Sequence, residues 1–165
     1  MRYLFNTVKA INEWSGKIVS FVVYFGIIIL FIEVFLRYLF NSPTVWAHGY
    51  SQRIFGSYFI LIGGYTLLHN GHVRVDLMYN YFNKKWKTIL DMLNCAALLV
   101  WDIVLVKEGW HFFIVSFKVR EADEMVLAHP VYPVKFFILV GAVLIGLQGL
   151  SLFFQGLFTL LKREN

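Results

Sequence analysis

The sequence contains little cysteine, little proline and little charge. Of its 165 residues one is cysteine, three are proline and 15% are charged, whereas 59% are hydrophobic. The single Cys95 allows neither an intramolecular disulfide nor a cysteine metal cluster. A soluble domain of this length could not bury so many apolar side chains, so the excess must face lipid or a partner.

Motifs for catalysis are also missing. The sequence has no nucleotide-binding loop, no nucleophile triad and no paired carboxylates, and we therefore predict that it is not an enzyme and that it needs no cofactor. The net charge is a modest +5. Because membrane proteins collect Lys and Arg on their cytoplasmic side, this charge does not indicate a nucleic-acid partner.

Long apolar stretches predict an all-α integral membrane protein, which we interpret as one domain over residues 1–165. The predicted spans are residues 18–40, 51–69, 88–107 and 133–161. A membrane helix needs about 20 apolar residues, and the 19% aromatic content is typical of interfacial belts.

The first residues predict a separate element before the first span. Residues 1–17 mix basic and apolar side chains, with the apolar ones near one helical face, which indicates an amphipathic helix on the cytoplasmic surface. A secretory signal is the alternative, but the apolar run after residue 17 is too long for a signal core.

Several polar residues lie inside or beside the predicted spans. Glu33 and Arg37 are four apart on one helix face, which favours a pair that faces another helix over an ion path. Trp46 is predicted to anchor at the interface, and Gln148 to bond to a neighbouring helix. Pro133 suits the first turn of the last helix.

The second span ends in a stretch that turns from apolar to polar. Its members are Gly63, Gly64, His69, His72, Arg74 and Asp76. Asn70-Gly71 is a turn dipeptide that predicts a helix stop, and we interpret the polar segment at residues 72–76 as a structural joint at the membrane surface. Two alternatives are a metal site at His69 and His72, and haem ligation by histidines.

Topology is predicted from the basic residues. Lys and Arg are more numerous in the N-terminal region, the loop at residues 84–87 and the tail than in the two remaining loops. This bias favours cytoplasmic N and C termini and a periplasmic loop at residues 118–124.

Three motifs in this order resemble the small membrane subunit (DctQ-like) of TRAP transporters, the tripartite ATP-independent periplasmic systems. They are Arg37-Tyr38-Leu39-Phe40-Asn41 followed by Pro43 and Trp46, Gly63-Gly64 leading to His69 and His72-Val73-Arg74-Val75-Asp76, and Pro130-Val131-Tyr132-Pro133-Val134-Lys135. Many family members have an acidic pair shortly after the tryptophan, where this sequence has His48-Gly49.

The resemblance implies a function and a set of partners. A large DctM-like membrane subunit would carry substrate and sodium, a periplasmic substrate-binding protein would deliver an organic acid, and this chain would brace the large subunit in lipid of the bacterial inner membrane. It would supply no substrate or metal ligand of its own. The alternative is a membrane anchor of a redox enzyme, which a haem spectrum would reveal.

Overall fold

The structure is a computed structural model that describes residues 2–69, 71, 82–124 and 127–161. Within these residues it contains five helices and no regular strand, so the predicted all-α class is confirmed. The helices are α1 (Arg2–Leu39), α2 (Ala47–Leu61), α3 (Gly63–Leu68), α4 (Lys84–Lys118) and α5 (Tyr132–Leu161).

Three of these helices are long and apolar enough to cross a membrane. The segments are Phe5–Leu39, Trp86–Lys118 and Tyr132–Leu160, and they contain the predicted spans 18–40, 88–107 and 133–161 almost entirely. The third span is longer than predicted, because α4 continues past Lys107 to Lys118. Lys107 and Glu108 are good helix formers with exposed side chains, so they do not end the helix.

The N-terminal residues do not form a helix of their own. Residues 2–39 are one continuous helix, whereas the sequence predicted an interfacial helix before the first span. No proline or turn dipeptide interrupts this stretch. Gly16 packs directly beneath the ring of Tyr65 in α3, so tertiary contact holds the first turns in line with the rest of α1.

The predicted second span, residues 51–69, is divided into two helices. It begins earlier, at Ala47, and a turn at Ile62 separates α2 from α3. Glycine has a low helix propensity because it loses the most backbone entropy, and Gly63-Gly64 come directly after this turn. The hydrogen bonds from Ile62 N to Tyr58 O (3.0 Å) and from Thr66 N to Ile62 O (2.9 Å) carry the helical ladder across it.

The helices form an open layer. Helix α5 lies in the middle, with α4 on one side and α2 and α3 on the other, and α1 covers α2 and α3. Within the described residues α4 packs extensively against α5 alone. A closed bundle would also pack α4 against α1, so this arrangement leaves large apolar faces uncovered.

Small residues set the distance between neighbouring helices. A side chain at Gly141 of α5 would meet Ile60 of α2, including its carbonyl oxygen at 2.8 Å. On the other side of α5, Gly149 lies against Leu98 and Leu99, and Gly156 against Met92. Close approach at small residues is how helices associate in lipid, where no hydrophobic force drives them together.

Candidate functional site

The carboxylate of Glu33 joins the end of α1 to the loop before α2. Its Oε1 accepts hydrogen bonds from Arg37 Nε (3.0 Å) and Nη2 (2.5 Å). Its Oε2 accepts hydrogen bonds from the amide of Thr44 (3.1 Å) and from the hydroxyl of the same residue. The predicted pair therefore exists, and it also holds the loop that leads into α2.

Helix α1 ends at Leu39, close to residue 40, where the first predicted span ends. Asn41 has a φ of 48°, a left-handed conformation that asparagine tolerates at helix ends. Ser42 N donates to Leu36 O at 2.9 Å, and Pro43 is the next residue. Trp46 is the residue just before α2, and its ring lies 6.1 Å from that of Tyr50.

A second group of contacts ties the α4–α5 loop to the start of α2. Arg53 of α2 pairs with Asp123 of the loop, and both side chains are largely buried. Asp123 Oδ1 also accepts a hydrogen bond from the amide of His129 at 3.0 Å, while the ring of His129 lies tilted against that of Tyr50, with 4.8 Å between the centroids. Arg53 and Asp123 are 70 positions apart, and sequence reasoning missed this pair.

The loop is held to α5 by a third ion pair. Lys135 Nζ donates to Glu121 Oε2 and lies 3.7 Å from the ring centroid of Phe112. The Lys135 ammonium lowers the pKa of the Glu121 carboxyl, because a charged donor favours the ionised form. Helix α5 begins at Tyr132, so Pro133 is in its first turn as expected. We call the pairs Arg53–Asp123 and Lys135–Glu121 the loop joint.

A neutral joint lies further along α5. Asn12 Nδ2 donates to Gln148 Oε1 at 3.2 Å and also to Val8 O at 3.1 Å. Asn12 is fully buried and Gln148 is 2% exposed. The amide oxygen of Asn12 lies directly against Gly64 of α3, where any side chain would overlap it. We call Asn12, Gln148 and Gly64 the amide joint, because it brings α1, α3 and α5 together.

His69 lies at the end of α3, where the helix stop was predicted. Helix α3 ends at Leu68, and Gly71 N donates to Thr66 O at 2.8 Å. His69 Nε2 bonds to Glu13 Oε2 at 3.0 Å. His72, Arg74 and Asp76 lie outside the described residues. Elsewhere in the described chain, no three His, Cys, Asp or Glu side chains form a group that could hold a metal.

One buried carboxyl lies apart from both joints. Asp102 of α4 is 6% exposed and packs against Gly146 of α5. Its Oδ1 has no hydrogen-bond partner among the described residues. The side chain of Asp102 thus lies in the contact between α4 and α5.

Together these features define a class of protein. The helices are long and apolar, their outward faces are uncovered, and the polar groups at the joints mostly bond to one another. The molecule is a multi-pass helical membrane protein.

Comparison with known families makes the assignment specific. The family model described as "Tripartite ATP-independent periplasmic transporters, DctQ component" matches residues 26–159. The chain therefore belongs to the DctQ family, as its three motifs indicated.

A characterised relative has a similar sequence. It is the C4-dicarboxylate TRAP transporter small permease protein DctQ of Vibrio cholerae serotype O1. The two are 22% identical over 108 residues, which cover 62% of this chain and 46% of that protein. The matched region thus spans less than half of the relative.

Proposed function

We propose that this chain is the small permease subunit of a TRAP secondary transporter and that it braces a large, DctM-like membrane subunit. Family membership supports the first part of this proposal. The open layer supports the second. In the part of the chain that the structure describes, α4 packs extensively only against α5, and the outward faces of α1 and α4 are apolar and exposed. A transporter component, and not an enzyme, is the function that this geometry fits best.

The proposal includes four membrane crossings by a single domain. Together with Ile62, the 15 residues of α2 and the 6 of α3 rise by roughly 33 Å. The hydrocarbon core is about 30 Å thick, so α2 and α3 together complete the fourth span. Four crossings would place both termini on the same side of the membrane. The bias of basic residues favours the cytoplasmic side of the bacterial inner membrane, which would put the α4–α5 loop in the periplasm.

We propose that the large subunit supplies the ligands for substrate and sodium. A sodium site needs several converging oxygens, usually at broken helices in mid-membrane. Here Glu33, Glu121 and Asp123 each bond to a donor of their own chain, and Asp102 stands apart from them. A periplasmic binding protein would deliver an organic acid, a class that includes the C4-dicarboxylates in the name of the Vibrio relative.

The proposal is tested by co-purification and reconstitution. An affinity tag on this chain should retain the large subunit in stoichiometric amount, and vesicles that contain the large subunit without this chain should lose binding-protein-dependent uptake. Asp102→Ala and Glu33→Ala should leave the sodium dependence of uptake unchanged wherever the complex assembles.

Two results would contradict the proposal. One is a changed sodium Hill coefficient in either variant, which would make this chain part of the coupling site. The other is purification of the tagged chain with a redox enzyme and a haem absorption band, with no large permease subunit.

A further inference from the structure

Helix α4 carries two charged side chains that α5 does not cover. Lys107 is 81% exposed and Glu108 is 62% exposed, and their charged atoms are 3.9 Å apart. Gly109 packs against Leu139 of α5. Each residue of a helix is turned by about 100° from the one before it, so Lys107 lies on the opposite side of α4 from Gly109. Both charges therefore belong to an outward-facing surface.

The packing of α4 on α5 fixes the level of this charged pair. Asp102 meets Gly146, and Gly109, seven positions later, meets Leu139, seven positions earlier in α5. The two helices are therefore antiparallel with a constant register. Lys107, two positions before Gly109, is level with the residue of α5 that comes two positions after Leu139.

That residue is Gly141, and its contacts extend the same level to the other helices. Gly141 packs against Ile60 of α2, and six positions earlier in α2 Ile54 packs against Gly26 of α1. Because α1 runs opposite to α2, the level of Ile60 is reached about six positions before Gly26, near Ser20.

The level of Lys107 thus lies inside an uncharged stretch of each of the other helices. Residues 18–32 of α1, 54–68 of α2 and α3, and 136–161 of α5 contain no Lys, Arg, Asp or Glu. Ionisable side chains at such a level in membrane proteins face protein or water and not acyl chains. A lysine stem can carry its charge toward the headgroups, but the shorter side chain of Glu108 has no such reach.

The outward face of α4 also has the residue spacing of a surface that packs against another helix. Exposed residues recur along it at alternating separations of four and three, the spacing at which one helix contacts a partner. Ala97 is small enough to allow a close approach. We call this set the α4 stripe, and it consists of Leu93, Ala97, Val100, Val104, Lys107 and His111.

The outward face of α1 has a different composition. Its exposed side chains between Lys17 and Glu33 all belong to large hydrophobic residues, among them Phe21, Phe25 and Ile28. Such a surface leaves no polar group in hydrocarbon, so α1 is suited to lipid whereas the α4 stripe is not.

We propose that the large membrane subunit docks on the α4 stripe, with a carboxylate opposite Lys107, and that the outward face of α1 contacts lipid. This inference rests on the proposed function and adds the surface through which the two subunits meet. A second copy of this chain is a poorer occupant. A two-fold axis normal to the membrane brings each residue level with its own copy, so Lys107 would approach another Lys107.

Photocrosslinking in the assembled transporter tests the choice of face. The tagged chain is expressed together with the large subunit, and benzoylphenylalanine replaces one residue at a time in cells. Val104 reports on the α4 stripe, and Phe21, which is close to the same level on α1, is the matched control. After irradiation, Val104→benzoylphenylalanine should give a covalent product with the large subunit, and Phe21→benzoylphenylalanine should give none.

The outcomes separate this inference from the proposed function. If the unmodified tagged chain does not retain the large subunit, the proposed function fails and the inference fails with it. If the large subunit is retained but crosslinks from Phe21, or does not crosslink from Val104, the docking surface is wrong and the proposed function stands. A product from Val104 with twice the mass of this chain would identify a second copy as the occupant and overturn the proposal.

A charge reversal tests the partner of Lys107. In Lys107→Glu, a carboxylate would face the carboxylate of the large subunit, so the tagged chain should lose most of the large subunit, measured as the ratio of the two in the purified complex. Lys118→Glu is the matched control, because Lys118 is exposed at the end of the same helix, and it should retain the normal ratio. An unchanged ratio in Lys107→Glu would contradict a carboxylate opposite Lys107.

Discussion

The two joints of this protein hold α5 to different neighbours by different chemistry. The loop joint uses two ion pairs, Arg53–Asp123 and Lys135–Glu121. They lie where the α4–α5 loop leads into the start of α5. The amide joint uses two neutral side chains, Asn12 and Gln148, packed against Gly64 in a fully buried position. Charges that are taken out of water need well-placed partners, whereas neutral amides cost less when their partners are imperfect. The charged joint keeps the Glu121 side chain 41% exposed, whereas both amides of the neutral joint are almost fully buried.

The largest effect is expected from filling the space at Gly64. In Gly64→Leu the new side chain would overlap the Asn12 amide and approach Leu144 O, which lies 3.1 Å from the new Cβ position. Overpacking typically costs about 1–3 kcal/mol, and here it also separates three helices, so we expect the yield of monodisperse protein in size-exclusion chromatography to collapse. Gly56→Leu is the matched control, since a side chain there meets nothing within 4 Å. Equal loss in both variants would show that the amide joint has no special role.

Breaking one ion pair of the loop joint should have the next largest effect. Asp123→Asn leaves the Arg53 guanidinium poorly paired, and hydrogen bonds to charged groups contribute roughly 1.5–3 kcal/mol. We expect about 2 kcal/mol of destabilisation in reversible unfolding by SDS. A double-mutant cycle with Arg53→Met should return a coupling of at least about 0.5 kcal/mol. If the losses of the two single variants simply add in the double variant, the pair does not stabilise the loop.

Replacing the amide pair should cost less stability than breaking the ion pair, so it tests the difference between the two joints. Gln148→Leu leaves the Asn12 Nδ2 with its bond to Val8 O alone, and polar bonds between membrane helices average about 0.6 kcal/mol. The double change Asn12→Leu with Gln148→Leu should recover most of the loss, because two apolar groups leave no buried donor without a partner. A loss above that of Asp123→Asn in the same unfolding assay would contradict the ranking.

Of the two joints, only the loop joint should contribute a pH dependence to stability, and this is the smallest of the expected effects. The pKa of Glu121 is lowered by Lys135, so this pair stabilises the fold above the ordinary glutamate pKa. The stabilisation is lost as the pH falls through the lower, folded value. Stability against unfolding by SDS, measured from neutral to strongly acidic pH, should fall as the pH decreases. Glu121→Gln should make this fall less steep. The amide joint has no titrating group, so Gln148→Leu should leave the dependence of stability on pH unchanged.

Local features of the fold were predictable because neighbouring residues produce them. The end of α1 at Asn41 and Pro43, the start of α5 at Pro133 and the Glu33–Arg37 pair all result from short-range sterics and helix spacing. Three of the four predicted spans agree with long apolar helices for the same reason. The division of the second span at Ile62 was not predicted, although Gly63-Gly64 is a dipeptide that can mark a turn. Small residues in an apolar helix also serve close packing between helices, and the two roles look the same in the sequence.

By itself the sequence determined the membrane class and indicated the DctQ family, because apolar length and short motifs act along one stretch of chain at a time. Only the tertiary structure decided that Asn12 meets Gln148 across 136 positions and that Asp102 faces Gly146. These contacts depend on which small residues let two helices approach. The register between helices is thus a property of their packed surfaces and not of either helix alone.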